Sequence, residues 1–546
     1  MLVDMVHDNH GEPAFKTRFR NAPLLKSYGY GGVVIPDALA AVPGARRGVV
    51  TNGALPNAAA HLHAAIDARV QEALAGGLQV YFYSDALMLP APLVRANPEN
   101  YQCTDHSGRL CPGRPAVYEA MAQLVTELFR QWPGAAGLIM RTSEAYPESL
   151  PHMTGNPLQT PSCPACRGLS LTHRTAQFIT AMHGAVVERA GKVYVHRAWQ
   201  NTTGPSIHDS PALYRELLEL IPDDPHILFS FKFTQGDFWH GRPWNPCISA
   251  DSRPKWVEFP SAREFEGKGA FPNYQAPIWT GLQNGIAAGG VHSIADIPPD
   301  VLGGMWGISR GAGWGGPYLQ REEWLDVNVY ALGRLSREPR ASAAEIARDW
   351  AALAFGIPLE HEAVNLIADM LLMSTGVAGA LLYVPASADQ LRRGILLEPA
   401  LHDDLLDVEQ LWSSARAIAA MPSAEQACQE KLAAAAGAAA MRRMFDSAAP
   451  GLPNKSQARD LLGTLVYYES FAGTLAHIFC GFVRYAQWQA TQDDRALARQ
   501  AEHHLQHGQA AWQHHSQRHA MLPGAPSVFN ETSLWERTNE CLETVG

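Results

Sequence analysis

Short apolar runs alternate with amphipathic helical stretches through the first three-fifths of the chain. That alternation constrains the fold more than any other feature. Strands are expected at LVDMVHD (2–8), GGVVIP (31–36), LQVYFYSD (78–85), GLIMRTSE (137–144), KVYVHRAW (192–199), HILFSFKF (226–233), KWVEF (255–259) and AGGVHSI (288–294). Between them, RPAVYEAMAQLVTELFRQW sets Val117, Met121, Leu124, Val125 and Leu128 at helical spacing, and THRTAQFITAMHGAVVERAG closes on Gly191. Strand–helix alternation over roughly 300 residues predicts a (β/α)8 barrel. The competing doubly wound sheet calls for a glycine-rich fingerprint after the first strand, and the sequence has none there.

Near Glu322 the pattern becomes helical and stays so, rich in Ala, Leu, Gln and Arg. SAAEIARDWAALAFG opens with a capping box, Ser342 followed three residues later by Glu345. KLAAAAGAAAMRRMF reads as a packed helix, because alanine is the best helix former. The expected division is a catalytic barrel over 1–325 and a helical C-terminal domain over 326–546.

Net charge is −10 and the pI near 6.1. That balance disfavours nucleic acid as a partner, since phosphate contacts need a basic face. It leaves room for a local basic pocket that takes an acidic substrate. MLVDMVHDNHGEP carries no basic-then-apolar leader, and no uninterrupted apolar run reaches bilayer length. A cytoplasmic protein with no membrane partner is therefore expected, and a homodimer is compatible with the sequence.

In a barrel, functional side chains gather at the C-terminal ends of the strands. The polar groups expected there are Asp8, Glu12, Asp85, Arg141, Glu144, His196, Arg197, Lys232, Asp237, Glu258, Arg263, Glu264, Glu266, Arg310 and the tryptophans Trp306 and Trp314. Carboxylates in such a cleft suit glycoside hydrolysis. One carboxyl must be protonated for the leaving oxygen, and another must be ionised toward water or the sugar. Glu144 fits the acid, its pKa expected to rise through burial and nearby carboxylates. Asp237 and Glu264 fit the opposite face. Arg141, Arg197 and Lys232 suit a carboxylate on the substrate, Trp239 and Trp314 a pyranose face, and His196 and Asp8 its hydroxyls. The bland alternative for each is a loop residue paired or packed locally.

Five stretches resemble the α-glucuronidase family of glycoside hydrolases, family sixty-seven. GLIMRTSEAYP is similar to the segment holding that family's general acid, which implies Glu144 as the acid. FSFKFTQGDFW and AREFEGKGAFPNY resemble the segments holding its paired base carboxylates, which implies Asp237 and Glu264, with Glu258 or Glu266 as alternatives to Glu264. VYVHRAW resembles the strand bearing a substrate-carboxylate arginine, here Arg197. The join GWGGPYLQREEWLDVNVYALGRLSREPRASAAEIARDWAALAFG resembles the entry to the family's helical domain. The resemblance covers roughly residues 130–355. It implies an exo-acting, inverting enzyme without a cofactor that removes a uronic acid from oligosaccharides. An exo-sialidase, or a barrel that binds carbohydrate without cleaving it, would draw on the same residues.

CTDHSGRLC and CPAC place Cys103, Cys111, Cys163 and Cys166 in two pairs. They suit either a four-thiolate zinc site or free thiols, and no catalytic metal is expected. His7 and His240 are further rim candidates. AEHHLQHGQAAWQHHSQRH is expected on a solvated terminal helix.

Overall fold

The computed structural model describes residues 1–7, 15–46, 54–105, 107–144, 150–158, 160–200, 206–281, 290–311, 316, 318–384, 401–402, 405–491, 494–519, 524 and 532–545. Its strands include β1 (Leu2–Val6), β2 (Gly32–Pro36), β3 (Gln79–Asp85), β4 (Met88–Pro90), β5 (Gly137–Arg141), β6 (Met153–Gly155), β7 (Val193–Arg197), β8 (Ile227–Lys232), β9 (Lys255–Pro260) and β10 (Leu302–Arg310). Eight of them close a parallel barrel in the order β1-β10-β9-β8-β7-β5-β3-β2. The antiparallel pair β4–β6 lies outside it and ties together the loops that follow β3 and β5.

Seven barrel strands lie where the apolar runs placed them. The eighth does not: AGGVHSI is replaced by Leu302–Arg310, LGGMWGISR. Glycine makes LGGMWGISR a weak strand by propensity, yet the packing requires it. A Cβ at Gly304 would stand 2.7 Å from Trp256 Nε1. Trp256 packs edge-on to Tyr81 at 4.9 Å, and nearer the strand ends Tyr83 meets Trp306 at 5.8 Å. Trp306 and Arg310 are thus strand residues rather than loop residues.

Alternate residues face the outer helices. Asp4 does so, fully buried, its Oδ2 accepting from Ser309 Oγ at 2.6 Å. Burial pushes the Asp4 carboxyl up to about 7, against the opposing pull of the Ser309 hydroxyl.

The helix Glu323–Leu335 completes the barrel wall. Tyr30 donates to the Val329 carbonyl at 3.0 Å, and Asn328 Nδ2 to the Ser261 carbonyl at 3.2 Å. The expected division at 325/326 falls inside this helix. Ala343–Phe355 follows with the capping box in place: Glu345 N–H donates to Ser342 Oγ at 3.1 Å, and Ser342 N–H to Glu345 Oε2 at 3.1 Å. Glu362–Leu382 then has the length and hydropathy of a spanning helix, but most of its apolar side chains are buried within the protein. The long helices Ala424–Ala448, Lys455–Thr491 and Arg495–His519 complete most of the rest. They join the barrel through Phe271 stacked on Tyr468 at 4.1 Å and Trp324 Nε1 donating to Thr464 at 2.8 Å. The histidine-rich helix is not simply solvated. It buries Ala501 and Leu505, and His477 Nδ1 meets His504 Nδ1 at 3.1 Å.

Candidate active site

Side-chain alternation turns Arg141, Arg197, Lys232 and Glu258 into the barrel mouth, where they find one another. Arg141 grips Asp85 with two bonds, Nε to Oδ1 at 2.7 Å and Nη2 to Oδ2 at 2.8 Å, and pairs with Glu144 through Nη1. The other Glu144 oxygen accepts from Trp199 Nε1 at 2.6 Å. Over the Trp199 ring, 3.4 Å from its centroid, sits the Lys232 ammonium, which also lies 4.4 Å from the Phe238 ring and pairs with Asp237. Asp237 follows Gly236, whose φ of 76° lets the chain turn there. Glu144 and Asp237, 93 positions apart in sequence (237 − 144), therefore stand at the two ends of one Trp199–Lys232 stack.

Deeper in the barrel, Arg197 holds Glu258, Nε and Nη2 reaching Oε2 at 2.9 and 2.8 Å, while Ser230 donates to Oε1 at 2.8 Å. Arg197 also donates to Tyr83, and Tyr83 to Asp85, each at 3.2 Å, so the inner and outer pairs form one network. Arg197 is thus engaged by Glu258, just as Arg141 is by Asp85 and Glu144 and Lys232 by Asp237. Beyond β9, Arg263 pairs with Glu266, Nε to Oε2 at 2.8 Å. Asn273 and Tyr383 add bonds to Glu266 at 2.5 and 2.8 Å. Tyr383 ends the helix Glu362–Leu382, whose last carbonyls, Ala380 and Leu381, accept from Lys431 at 2.8 Å. Asp237 lies within electrostatic range of Arg263. Glu264 sits on the same loop, part-exposed, while Glu266 takes the inward position.

The protonation expected of Glu144 is corrected. Burial alone would raise its carboxyl, but Arg141, then Lys232 and Arg197, with the Trp199 indole, hold it below the usual range. Glu258 and Glu266 are likewise drawn down against burial, by Arg197 and Arg263 respectively. All three are ionised in the resting site. The nearby carboxylates expected to raise Glu144 are each matched by a cation.

His196 is also corrected. It follows the alternation opposite to Arg197 and faces the outer helices, bonded to Tyr194 at 3.2 Å and edge-on to Phe229 at 5.6 Å. Burial there brings its pKa down to about 3, and it has no route to a ligand in the mouth. Trp239 lies near Asp237, edge-on to Phe265 at 5.9 Å, with Arg242 4.9 Å from its ring. His240 packs on Tyr383 at 5.7 Å, and burial keeps it neutral. Asp8, Glu12 and Trp314 lie outside the described residues. Sequence reading missed Trp199 and Tyr383. Trp199 was discoverable: two positions beyond Arg197, it shares that residue's face. Tyr383 carries no local signal, because its partner comes from a distant loop.

No family model matches the chain. By sequence it is 27% identical over 164 residues to an alpha-glucuronidase of Hypocrea jecorina, a stretch that covers 28% of this chain and only 18% of that protein. By fold it is similar to the solved structure of a GH138 enzyme targeting pectin rhamnogalacturonan II. The TM-score is 0.61 over 100% of this chain and 83% of that one, at 10% identity. The chain is remotely related to glycoside hydrolases. The match in fold takes in the helical region of this chain as well as its barrel.

Proposed function

We propose that this protein is an exo-acting glycoside hydrolase that releases an acidic sugar from an oligosaccharide or glycoconjugate, with inversion. The observation that carries the reading is the pair of carboxylates, Glu144 and Asp237, at the ends of the Trp199–Lys232 stack in a cation-lined barrel mouth.

Glu144 serves the leaving group. Its proton passes to the glycosidic oxygen as the bond to the anomeric carbon breaks. Asp237 takes a proton from water, whose oxygen bonds the anomeric carbon from the opposite face. Glu264 is the second base candidate on the β9 loop. Arg141 and Lys232 bind the substrate's carboxylate, and Trp199 and Trp239 offer aromatic faces to the ring. Binding and protonation are coupled. An incoming carboxylate shares two of the three cations that hold Glu144 ionised, so the Glu144 carboxyl rises and takes up the proton it must deliver. A uronic acid is favoured by the alpha-glucuronidase likeness and by the pectin target of the structural neighbour, since pectin is rich in acidic sugars.

The test is a screen of aryl glycosides of glucuronic, galacturonic and sialic acids, with NMR of the first-formed anomer. Hydrolysis of a uronide to the inverted anomer is expected, and Glu144→Gln should lower kcat by about 10²–10⁴. Exclusive cleavage of the sialoside would move the substrate class. A retained anomer would refute inversion, and an undiminished Glu144→Gln rate would remove Glu144 as the acid.

A further inference from the structure

The four cysteines that the sequence sets in two loose pairs meet at one point. Cys103 and Cys111 sit side by side on a hairpin: Gln102 bridges Leu110, Cys103 N–H donates to Arg109 at 2.9 Å, and Cys111 N–H to Tyr101 at 2.8 Å. Gly108, at φ 72°, lies in the turn, and the pairing of Gln102 with Leu110 closes up the wide spacing. Cys163 caps the single turn Pro164–Arg167 and Cys166 lies within it, their sulfurs 3.6 Å apart. Across the two loops, Cys111 and Cys163 approach to 3.5 Å and Cys103 and Cys166 to 3.9 Å. All four sulfurs lie within 4.8 Å of one another and are buried.

We propose that these four cysteines bind a structural zinc ion as a tetrathiolate. A zinc ion holding four sulfurs tetrahedrally at about 2.3 Å sets them roughly 3.8 Å apart, which the observed spacings straddle. A disulfide needs about 2.05 Å, far shorter than any pair here. Backbone amides point at sulfur as well: the N–H groups of Ser162 and Cys163 donate to Cys166 Sγ at 3.2 and 3.3 Å, as a thiolate acceptor requires. Arg174, which donates to the Cys166 carbonyl at 3.2 Å, brings a cation beside the cluster's negative charge.

The site has a definite place in the architecture. Cys103 and Cys111 belong to the connection after β3, and Cys163 and Cys166 to the connection after β5. Zinc would rivet the two loops that β4 and β6 already join, and those loops follow the strands that carry Asp85 and Arg141. This role does not depend on the reaction performed at the mouth.

The test uses the full chain, produced in zinc-supplemented medium and purified without chelator. Elemental analysis should find about one zinc per chain. Cobalt-substituted protein should show the thiolate-to-cobalt charge-transfer band and the intense visible bands of tetrahedral cobalt. The double variant Cys163→Ser, Cys166→Ser should hold less than about a tenth as much zinc, while Cys247→Ser, at a buried cysteine outside the cluster, retains it. Three results would each overturn the assignment. They are a folded wild-type chain without stoichiometric zinc, iron in its place, and an intact mass lower by four hydrogens, which would mean two disulfides.

Discussion

The two rims of the barrel mouth carry the same short motif and use it differently. On the β5 side, Arg141 and Glu144 stand three residues apart; on the β9 side, so do Arg263 and Glu266. In the second pair the carboxylate is enclosed. Asn273 and Tyr383 complete the carboxylate's bonds, and the two side chains are 3% and 1% exposed. In the first pair the exposures are 11% and 9%, Arg141 also holds Asp85, and Glu144 meets Trp199 and the field of Lys232. The second pair is thus a buried clamp, whereas the first is the one proposed to work on substrate. Motif alone does not separate the two cases.

The sharpest way to break this comparison is to cut both glutamates to alanine. Glu144→Ala should lose about 10²–10⁴ in kcat with little change in melting temperature. Glu266→Ala should cost about 3–5 kcal/mol of stability, because it strands a buried Arg263. Denaturant melts beside initial rates read both, and a Glu266 variant as stable as wild type would end the clamp reading. Next in size is Lys232→Met. Losing one charged contact of about 1.5–3 kcal/mol should lower kcat/KM for an acidic glycoside about tenfold to a hundredfold more than for a neutral one. Tyr383→Phe should remove about 1 kcal/mol from the clamp, visible as a lower denaturant midpoint, without altering the preference for acidic sugars.

The smallest effect sharpens the comparison most. The carboxyl of Glu144 is depressed in the free protein, and kcat/KM reports the free protein whereas kcat reports the complex. If an incoming carboxylate relieves the depression, activity as kcat should persist to higher pH than activity as kcat/KM. An uncharged amide of the same sugar should close the gap. Equal limbs with both substrates would contradict substrate-coupled protonation.

Much of the fold was legible in the sequence, because a buried parallel strand needs a continuous apolar run and a barrel helix needs a 3.6-residue period. Seven of the eight barrel strands follow from that alone. The eighth escaped because LGGMWGISR is chosen by the space around Trp256 and Asp4, a property of neighbouring strands. The site was half legible. Strand ends gave Arg141, Lys232 and Asp237, and alternation would have given Trp199 and withdrawn His196. The ionisation of Glu144 was hidden, since it depends on how many cations converge from separate strands. Tyr383 was hidden for the same reason, at a greater distance along the chain.

Tyr383 has a practical consequence. The phenol that finishes the coordination of Glu266 comes from the helical unit, and Lys431, deeper in that unit, caps the helix that presents it. A trimmed protein ending before residue 341 would keep all eight staves of the barrel and still expose a raw charge at its lip. The smallest portable piece of this molecule, whether for grafting, crystallising or directed evolution, includes the tail.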